Sequence, residues 1–182
     1  MRAVVVYESM YGNTHAVATH IAEGLRSRFE VDVVPVAEAT AEQLAGCDVI
    51  VCGGPTHVHG MSSERSRAAA VAAVEKPSSP LSLDPAAAGP GLRDWFRGLP
   101  SGDGTAAAAF DTRIDGPAPL TGRAARGIAR RLRGHGFRVV VGPESFHVDK
   151  QSRLLAGENE RATAWGASLA SAVAPAEGQL RA

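Results

Sequence analysis

The chain has 182 residues, and its 19 Lys and Arg side chains balance 19 Asp and Glu. This neutrality argues against nucleic acid or an anionic membrane surface as a partner, and no apolar run approaches the roughly 20 residues of a membrane span. The opening "MRAVVVYESM" enters a polar turn too early for a secretory signal, so a cytoplasmic protein is expected.

Short apolar, β-branched runs alternate with segments whose apolar residues recur at helical spacing. The predicted strands span residues 3–7, 29–36, 47–55, 105–110 and 137–142, and Pro35 restricts the second to an edge. The predicted helices span residues 14–28, 41–44, 62–74, 92–99, 122–133 and 159–173.

This alternation predicts βαβ crossovers, and therefore a doubly wound three-layer α/β/α sandwich around a five-stranded parallel sheet. Residues 1–174 are expected to form a single domain with a long irregular excursion at 62–104. Residues 175–182 are expected to form a C-terminal tail.

Charge is unevenly distributed along the neutral chain. Residues 1–50 are acidic, whereas the part from Thr105 onward is basic, mainly through Arg123, Arg126, Arg130, Arg131, Arg133 and Arg138. Two interpretations of these arginines stay open, namely a solvated helix face and a docking surface for an acidic partner.

Cys47 and Cys52 are five positions apart, and Cys52 lies in an apolar run. Along a strand this spacing separates them by roughly 16 Å, too far for a disulfide. We expect free thiols, as in a reducing cytoplasm. No neighbouring residue supplies an obvious base, so neither is expected to be a catalytic nucleophile.

In a doubly wound sheet, ligands bind beyond the carboxyl ends of the strands. The segments at these positions are "ESMYGNT" after the first strand, "GGPTHVHGMS" after the third and "DTRIDGP" after the fourth. The sequence therefore predicts a ligand site built from these three loops.

The first loop has the composition of a neutral anion cradle. Free N–H groups of the first helical turn, with the hydroxyls of Ser9 and Thr14, can hold an anion, and Gly12 tolerates the positive φ of a tight turn. Neither the nucleoside-triphosphate pattern nor the G-x-G-x-x-G dinucleotide pattern is present. A loop without a cation suits a single terminal phosphate monoester; the alternative is a simple helix cap made by Ser9, Asn13 and Thr14.

The three loops together resemble those of flavodoxin-like FMN-binding proteins of the stand-alone flavodoxin type. "YESMYGNT" resembles the phosphate loop of that family, "VCGGPTHVHG" its second flavin loop and "AAFDTR" its third. "GENERATAWG" resembles the start of its last helix. The resemblance runs from about Arg2 to Val173 and implies the strand order 2-1-3-4-5.

The resemblance also implies a set of residues that contact FMN. The implied phosphate ligands are Ser9, Met10, Tyr11, Gly12, Asn13 and Thr14. The residues implied to border the isoalloxazine ring are Pro55, Thr56, His57, Val58, His59 and Gly60 on one side and Asp111, Thr112 and Arg113 on the other. The chain departs from acidic flavodoxins in its neutral charge, and its second and third loops carry no Trp or Tyr.

His57 and His59 alternate along the chain, as two metal ligands on one strand face would. No third ligand has suggestive spacing, so contact with the flavin ring is preferred over a metal site, and a plain loop role is the alternative. His147, placed after the predicted fifth strand, is expected to be structural.

The function implied by the resemblance is electron transfer through bound FMN, to a protein partner or to a small acceptor. An NAD(P)H:quinone-type flavin reductase, and thus an FMN-dependent oxidoreductase, is one alternative. A flavin-free structural or regulatory domain that retains the fold is another, and a deazaflavin in place of FMN is a third.

Overall fold

The computed structural model describes residues 1–173, so the tail expected at 175–182 lies outside the described residues. Its strands are β1 (Arg2–Tyr7), β2 (Glu30–Pro35), β3 (Val49–His57), β4 (Gly60–Met61), β5 (Ala106–Ile114), β6 (Arg138–Val139) and β7 (Glu144–Val148). Its helices are α1 (Asn13–Leu25), α2 (Ala41–Leu44), α3 (Glu64–Val74), α4 (Leu92–Gly98), α5 (Ala118–Thr121), α6 (Ala124–Gly134) and α7 (Glu158–Val173).

The strands form one sheet in the order β2-β1-β3-β5, and β6 and β7 share the fifth position beside β5. All of these pairs are parallel, and only β4 of the described strands runs antiparallel, to β3. The predicted α/β/α class and the order 2-1-3-4-5 are therefore confirmed.

The fifth strand differs from the prediction, which placed it at 137–142. It is interrupted: Arg138–Val139 pairs with the start of β5, and Glu144–Val148 pairs with its end. Gly142 and Pro143 lie in the interruption, where proline has no N–H to offer a neighbouring strand. His147, expected after the strand, lies within β7 instead.

Two other strands run further than predicted. β3 continues past Pro55 to His57, and β5 continues past Phe110 to Ile114. Gly54 pairs with Asp111 and Pro55 with Thr112, so the predicted second and third loops begin inside the sheet. The residues that the sequence placed in loops are therefore held in rigid strand positions.

Alternation along the strands divides the core between two faces of the sheet. Ala3, Val5 and Tyr7 of β1 join the cluster under α1 and α7, whereas Val4 and Val6 join the cluster under α2, α4 and α6. The two cysteines are free, and burial raises the pKa of the Cys52 thiol, so this group stays protonated and is no nucleophile.

The excursion at 62–104 contains α3 and α4 and packs against the loop after β1. The backbone N–H of Asp84 donates to the carbonyl of Met10 at 2.9 Å, and Met10 packs with Ala70 and Ala87. Within residues 1–173, no helix has the length and hydropathy to cross a bilayer.

Candidate functional site

The loop between β1 and α1 supplies unpaired backbone donors at the carboxyl edge of the sheet. Gly12 precedes the helix with φ of +86°, a conformation that favours glycine, and it offers no side chain to cap the helix. The N–H of Gly12 donates to Oγ of Ser9 at 3.1 Å, so this buried serine shapes the turn. The first-turn N–H groups that follow have no i−4 partner within the helix and can bind an anion.

Two buried threonines meet beside these donors. Oγ1 of Thr14 and Oγ1 of Thr112 lie 2.7 Å apart, which joins the start of α1 to β5. They line a cavity of about 180 Å³. The other residues of this cavity, here called the small cavity, are Met10, Tyr11, Asn13, Pro55, Thr56, His57, Arg113, Ile114, Val148 and Ser152.

Arg113, predicted as a site residue of the third loop, lines the small cavity and brings a cation to it. It is only 9 % exposed, and its Nη1 donates to the carbonyl of Gly116 at 2.8 Å and to Oγ1 of Thr121 at 2.6 Å. Its Nε is buried with no hydrogen-bond partner in the described part of the chain. The guanidinium is therefore fixed through Nη1, and Arg113 lines the same cavity as Thr14 and Thr112.

Asp111 has a different role from the other two residues of its segment. It is fully buried, and its Oδ2 accepts from the N–H of Ala125 at 2.7 Å and from Oγ1 of Thr56 at 3.1 Å. Oγ1 of Thr56 also accepts from the N–H of Ala124 at 2.9 Å. Asp111 and Thr56 thus cap α6, and Asp111 does not line the small cavity.

Burial sets the protonation behaviour of two residues near the site. Desolvation raises the pKa of Asp111, against the hydrogen bonds from Ala125 and Thr56 that favour its charged form. Desolvation also lowers the pKa of His57, more strongly than the nearby Glu8 raises it. The ring of His57 is therefore neutral at physiological pH, and its Nδ1 lies 3.2 Å from Oγ of Ser66.

The β3–β4 hairpin forms one wall of a second, larger cavity. This ring-sized cavity, about 750 Å³, shares Tyr11, Thr56 and His57 with the small one. Val58 at the hairpin tip also lines it and is 88 % exposed. The hydroxyl of Tyr11 donates to the carbonyl of Ala70 at 3.1 Å, which fixes the tyrosine between the two cavities.

The structure therefore brings together most of the predicted site residues, but not all. Those lining at least one of the two cavities are Met10, Tyr11, Asn13, Thr14, Pro55, Thr56, His57, Val58, Thr112 and Arg113. Ser9 and Gly12 shape the turn. His59 and Gly60 line a different cavity beside α6, and His59 forms a β-bridge with Gly122. No group of three metal-binding side chains occurs among residues 1–173.

Sequence reasoning missed the segment after β7. The side chain of Asn13 donates to the carbonyl of Ser152 at 2.8 Å, and Ser152 itself adopts φ of +57°. Val148 and Ser152 line the small cavity. The signal lay in the interrupted fifth strand, because a strand ending at Val148 puts this turn at the carboxyl edge of the sheet.

One family model matches part of the chain. Residues 4–67 match the family model of the flavodoxin domain, a stretch that includes the phosphate-loop motif and the β3–β4 hairpin. A search of curated proteins gave no match.

Solved structures similar to this chain include several flavodoxins. A flavodoxin from the domain Archaea is 20 % identical, with a TM-score of 0.64 over 95 % of this chain and 99 % of that one. Oxidised flavodoxin 1 from Bacillus cereus is also 20 % identical, with a TM-score of 0.65 over 94 % and 98 %. A WrbA-like flavodoxin from Agrobacterium tumefaciens is 20 % identical, with a TM-score of 0.59 over 94 % and 96 %.

The family match covers the loop that begins the candidate site, and the structural similarity extends over nearly the whole chain. At these identities the solved structures establish the fold. The resemblance to flavodoxin-like proteins is confirmed by the family match over residues 4–67 and by the fold, and the chain has the flavodoxin-like fold.

Proposed function

We propose that this protein binds FMN, with the phosphate in the small cavity, and transfers electrons through it. The observation that carries the proposal is the set of groups that meet there: unpaired N–H groups of α1, the hydroxyl pair of Thr14 and Thr112, and the guanidinium of Arg113. Charge-assisted hydrogen bonds of this kind suit a phosphate.

The size of the two cavities supports FMN rather than inorganic phosphate alone. Pockets for small organic ligands typically occupy about 300–1,000 Å³, and the small cavity, at about 180 Å³, is below that range. The adjoining ring-sized cavity is within it, and it offers Tyr11, His57 and the exposed Val58 as flat or apolar surfaces. A flavin that carries a phosphate can occupy both cavities, with its phosphate in the small one and its ring in the larger one.

Bound FMN would supply the redox chemistry, and the protein would supply its position and surroundings. The protein holds the phosphate with Thr14, Thr112 and Arg113, and it borders the ring with Tyr11 and the hairpin. Neutral His57 places no positive charge beside the ring. The acceptor is a protein partner or a small molecule such as a quinone.

Titration of the apoprotein with FMN and with riboflavin tests the proposal. FMN should bind much more tightly than riboflavin, which lacks the phosphate. Replacing Thr14 by Val should weaken FMN binding by roughly 1–3 kcal/mol, because it strands the phosphate and the hydroxyl of Thr112. Arg113→Gln should weaken it by a similar amount and should leave riboflavin binding unchanged.

Thr19→Val is the matched control, since Thr19 lies on α1 with its hydroxyl bonded to the carbonyl of His15, outside both cavities. It should leave the FMN affinity unchanged. Equal affinity for FMN and riboflavin would refute phosphate recognition. A cofactor released from purified protein with the mass of a deazaflavin would replace FMN in the proposal.

The second candidate is a flavin-free domain, because one backbone contact restricts the space that is open to a flavin ring. The β-bridge between His59 and Gly122 joins the hairpin to the segment before α6. A Cβ at Gly122 would lie 2.1 Å from Cα of His59, so the two segments are in direct backbone contact. A ring cannot enter between them, and it must lie on the Tyr11 side. Absence of any flavin binding in the titration would favour this second candidate.

A further inference from the structure

A further cavity lies on the far side of the hairpin, beside α6. This arginine cleft has a volume of about 870 Å³ and is lined by Arg93, Arg123, Arg126, Arg130 and Arg131. Among the described residues, no Asp or Glu side chain lines it. Within residues 1–173, none of the five guanidinium groups lies within ion-pair distance of a carboxylate.

Three of these arginines are held in place by neutral groups. Arg93 donates from Nε to the carbonyl of Ser62 at 2.6 Å and from Nη2 to that of Met61 at 2.9 Å. Arg123 donates from Nη2 to the carbonyl of Pro143 at 2.8 Å, and Arg131 lies over the ring of Phe96, 5.9 Å from its centroid. These contacts orient the side chains without neutralising them, and of the three it is Arg123 whose charge also interacts with the buried Asp111.

The arrangement is unfavourable for α6 itself. Arg123 is the N-cap residue and Arg126 lies in the first turn, at the positive end of the helix dipole. Arg126 and Arg130 are four residues apart on the same helix face, where like charges repel. A bound anion with several charges would offset both effects.

We propose that the arginine cleft binds a small molecule that carries two or more linked phosphates. Guanidinium groups pair with phosphate oxygens in a two-pronged geometry, and several of them converge on one cavity here. The volume of the cleft falls within the range of about 300–1,000 Å³ typical of small-ligand sites. Met61 and Pro119 supply apolar surface for the organic part of such a ligand.

The concave shape favours this ligand over an acidic protein surface. Arg93 and Arg123 are only partly exposed, and they flank the cleft from the α4 side and from the segment before α6. A flexible chain of phosphates can reach both, whereas a flat surface reaches only the exposed Arg126, Arg130 and Arg131. The cleft shares no residue with either flavin cavity, so the proposal does not depend on flavin binding.

Calorimetric titration with tripolyphosphate, ATP and inorganic phosphate tests the proposal. Tripolyphosphate and ATP should bind, and inorganic phosphate should bind at least roughly tenfold more weakly because it makes fewer charge-assisted contacts. The double variant Arg126→Gln/Arg130→Gln should lose roughly tenfold or more in tripolyphosphate affinity. Both ligands should also raise the melting temperature of the parent protein.

Two matched variants distinguish binding in the cleft from diffuse charge attraction and from binding in the small cavity. Arg133→Gln removes a charge from the exposed part of α6 outside the cleft and should leave tripolyphosphate affinity within about twofold. Thr14→Val alters the small cavity and should leave the tripolyphosphate affinity unchanged. Equal losses in Arg133→Gln and in an Arg126→Gln single variant would show diffuse charge attraction and overturn the proposal.

Three further outcomes would also overturn it. Loss of tripolyphosphate binding in Thr14→Val would assign that binding to the flavin cavity. Binding of a poly-glutamate peptide without any binding of tripolyphosphate or ATP would favour an acidic protein partner. Absence of binding by all three phosphate probes to a folded parent protein would refute the site.

Discussion

The two faces of the sheet are covered in different ways. On one face, α1 and α7 pack so closely that their backbones touch. A Cβ added at Gly166 would lie 2.2 Å from the carbonyl oxygen of Ile21, and one added at Gly24 would lie 2.1 Å from that of Thr163. This face is an apolar core in which the close approach of α1 and α7 depends on Gly24 and Gly166.

The other face is joined by buried polar groups. Glu8, next to the end of β1, is 5 % exposed and accepts hydrogen bonds from the hydroxyl of Ser62 and from the N–H of Leu92. Asp111 and Thr56 similarly hold the start of α6. The excursion and α6 are thus attached through directional contacts, which require both partners to be present.

The two kinds of packing predict which substitutions destabilise each face of the sheet. A close helix pair resists any added atom, whereas a polar attachment resists the loss of either partner. Both candidate ligand sites lie next to the polar attachments, because the same strand ends that present ligand-binding groups also hold the connecting segments.

The largest expected effect is on the closely packed face. Gly166→Ala places a methyl group against the backbone of α1, so the helices must separate. We expect a loss of about 3 kcal/mol in the free energy of unfolding, the upper part of the range for overpacking. Urea denaturation of parent and variant measures it.

Gly134→Ala is the control for this substitution, because no atom of the described chain lies within 4 Å of a Cβ at Gly134 in α6. It should be neutral or slightly stabilising, since alanine favours helix more than glycine does by about 1 kcal/mol. A loss in Gly166→Ala no larger than that of the control would contradict the close approach of α1 and α7.

The polar face is tested by Glu8→Ala, with an expected loss of about 2 kcal/mol because the N–H of Leu92 and the hydroxyl of Ser62 lose their acceptor. Residues 75–91 should also become more sensitive to limited proteolysis. Glu8→Gln, which keeps an acceptor, should lose less. Glu75→Ala, at an exposed position of the same excursion, should lose almost nothing, and a result equal to that of Glu8→Ala would refute the attachment.

This contrast also explains what the sequence allows one to predict. The strands under α1 and α7, and the turn through Gly12, are encoded by local patterns: an apolar run, a glycine, hydroxyls and a helical period. The prediction placed the helix start at residue 14, one residue from the observed start at Asn13. The turn that begins the candidate site was therefore located from short-range signals.

The rest of the site depends on strand length and on contacts distant in sequence. The sequence pattern did not show that β5 continues to Ile114, which carries Arg113 to the small cavity and turns Asp111 into a cap for α6. Nor did it show the pairing of Asn13 with Ser152, 139 residues away. Hydrophobic periodicity fixes the face of a residue but not the register of its strand.

The dependence of stability on pH tests the buried polar contacts of Glu158 at the start of α7. Burial disfavours the charged form of Glu158, but hydrogen bonds from Arg161 and from the N–H of His147 outweigh it and hold the pKa of Glu158 below its usual range. Its contribution to stability is therefore present above the unfolded-state pKa of about 4.3 and is lost as pH falls through the lower folded-state value.

Glu158→Gln should accordingly cost about 1 kcal/mol at pH 7 and progressively less below about pH 4. Urea denaturation of parent and variant at several pH values measures the difference. Glu160→Gln, on the same helix turn and without a hydrogen-bond partner of this kind in residues 1–173, is the control. A difference between parent and Glu158→Gln that stays constant with pH would contradict the assignment to an ionised carboxylate.

The smallest expected effect, opposite in sign, is at the tip of the β3–β4 hairpin. Val58 and His59 have φ of +46° and +71°, as a two-residue hairpin turn requires. This conformation is strained for a β-branched side chain and is natural for glycine. Val58 is almost fully exposed, so little packing is lost with its side chain.

We expect Val58→Gly to raise the free energy of unfolding by about 0.5 kcal/mol. This gain is the relief of backbone strain minus the cost of the greater chain entropy of glycine in the unfolded state. Val58→Ala, which keeps a Cβ, should gain less. If Val58→Gly is more stable but binds FMN more weakly, valine strains the turn but contributes an apolar contact with the flavin ring. A loss of stability in Val58→Gly would show that valine does not strain the hairpin turn.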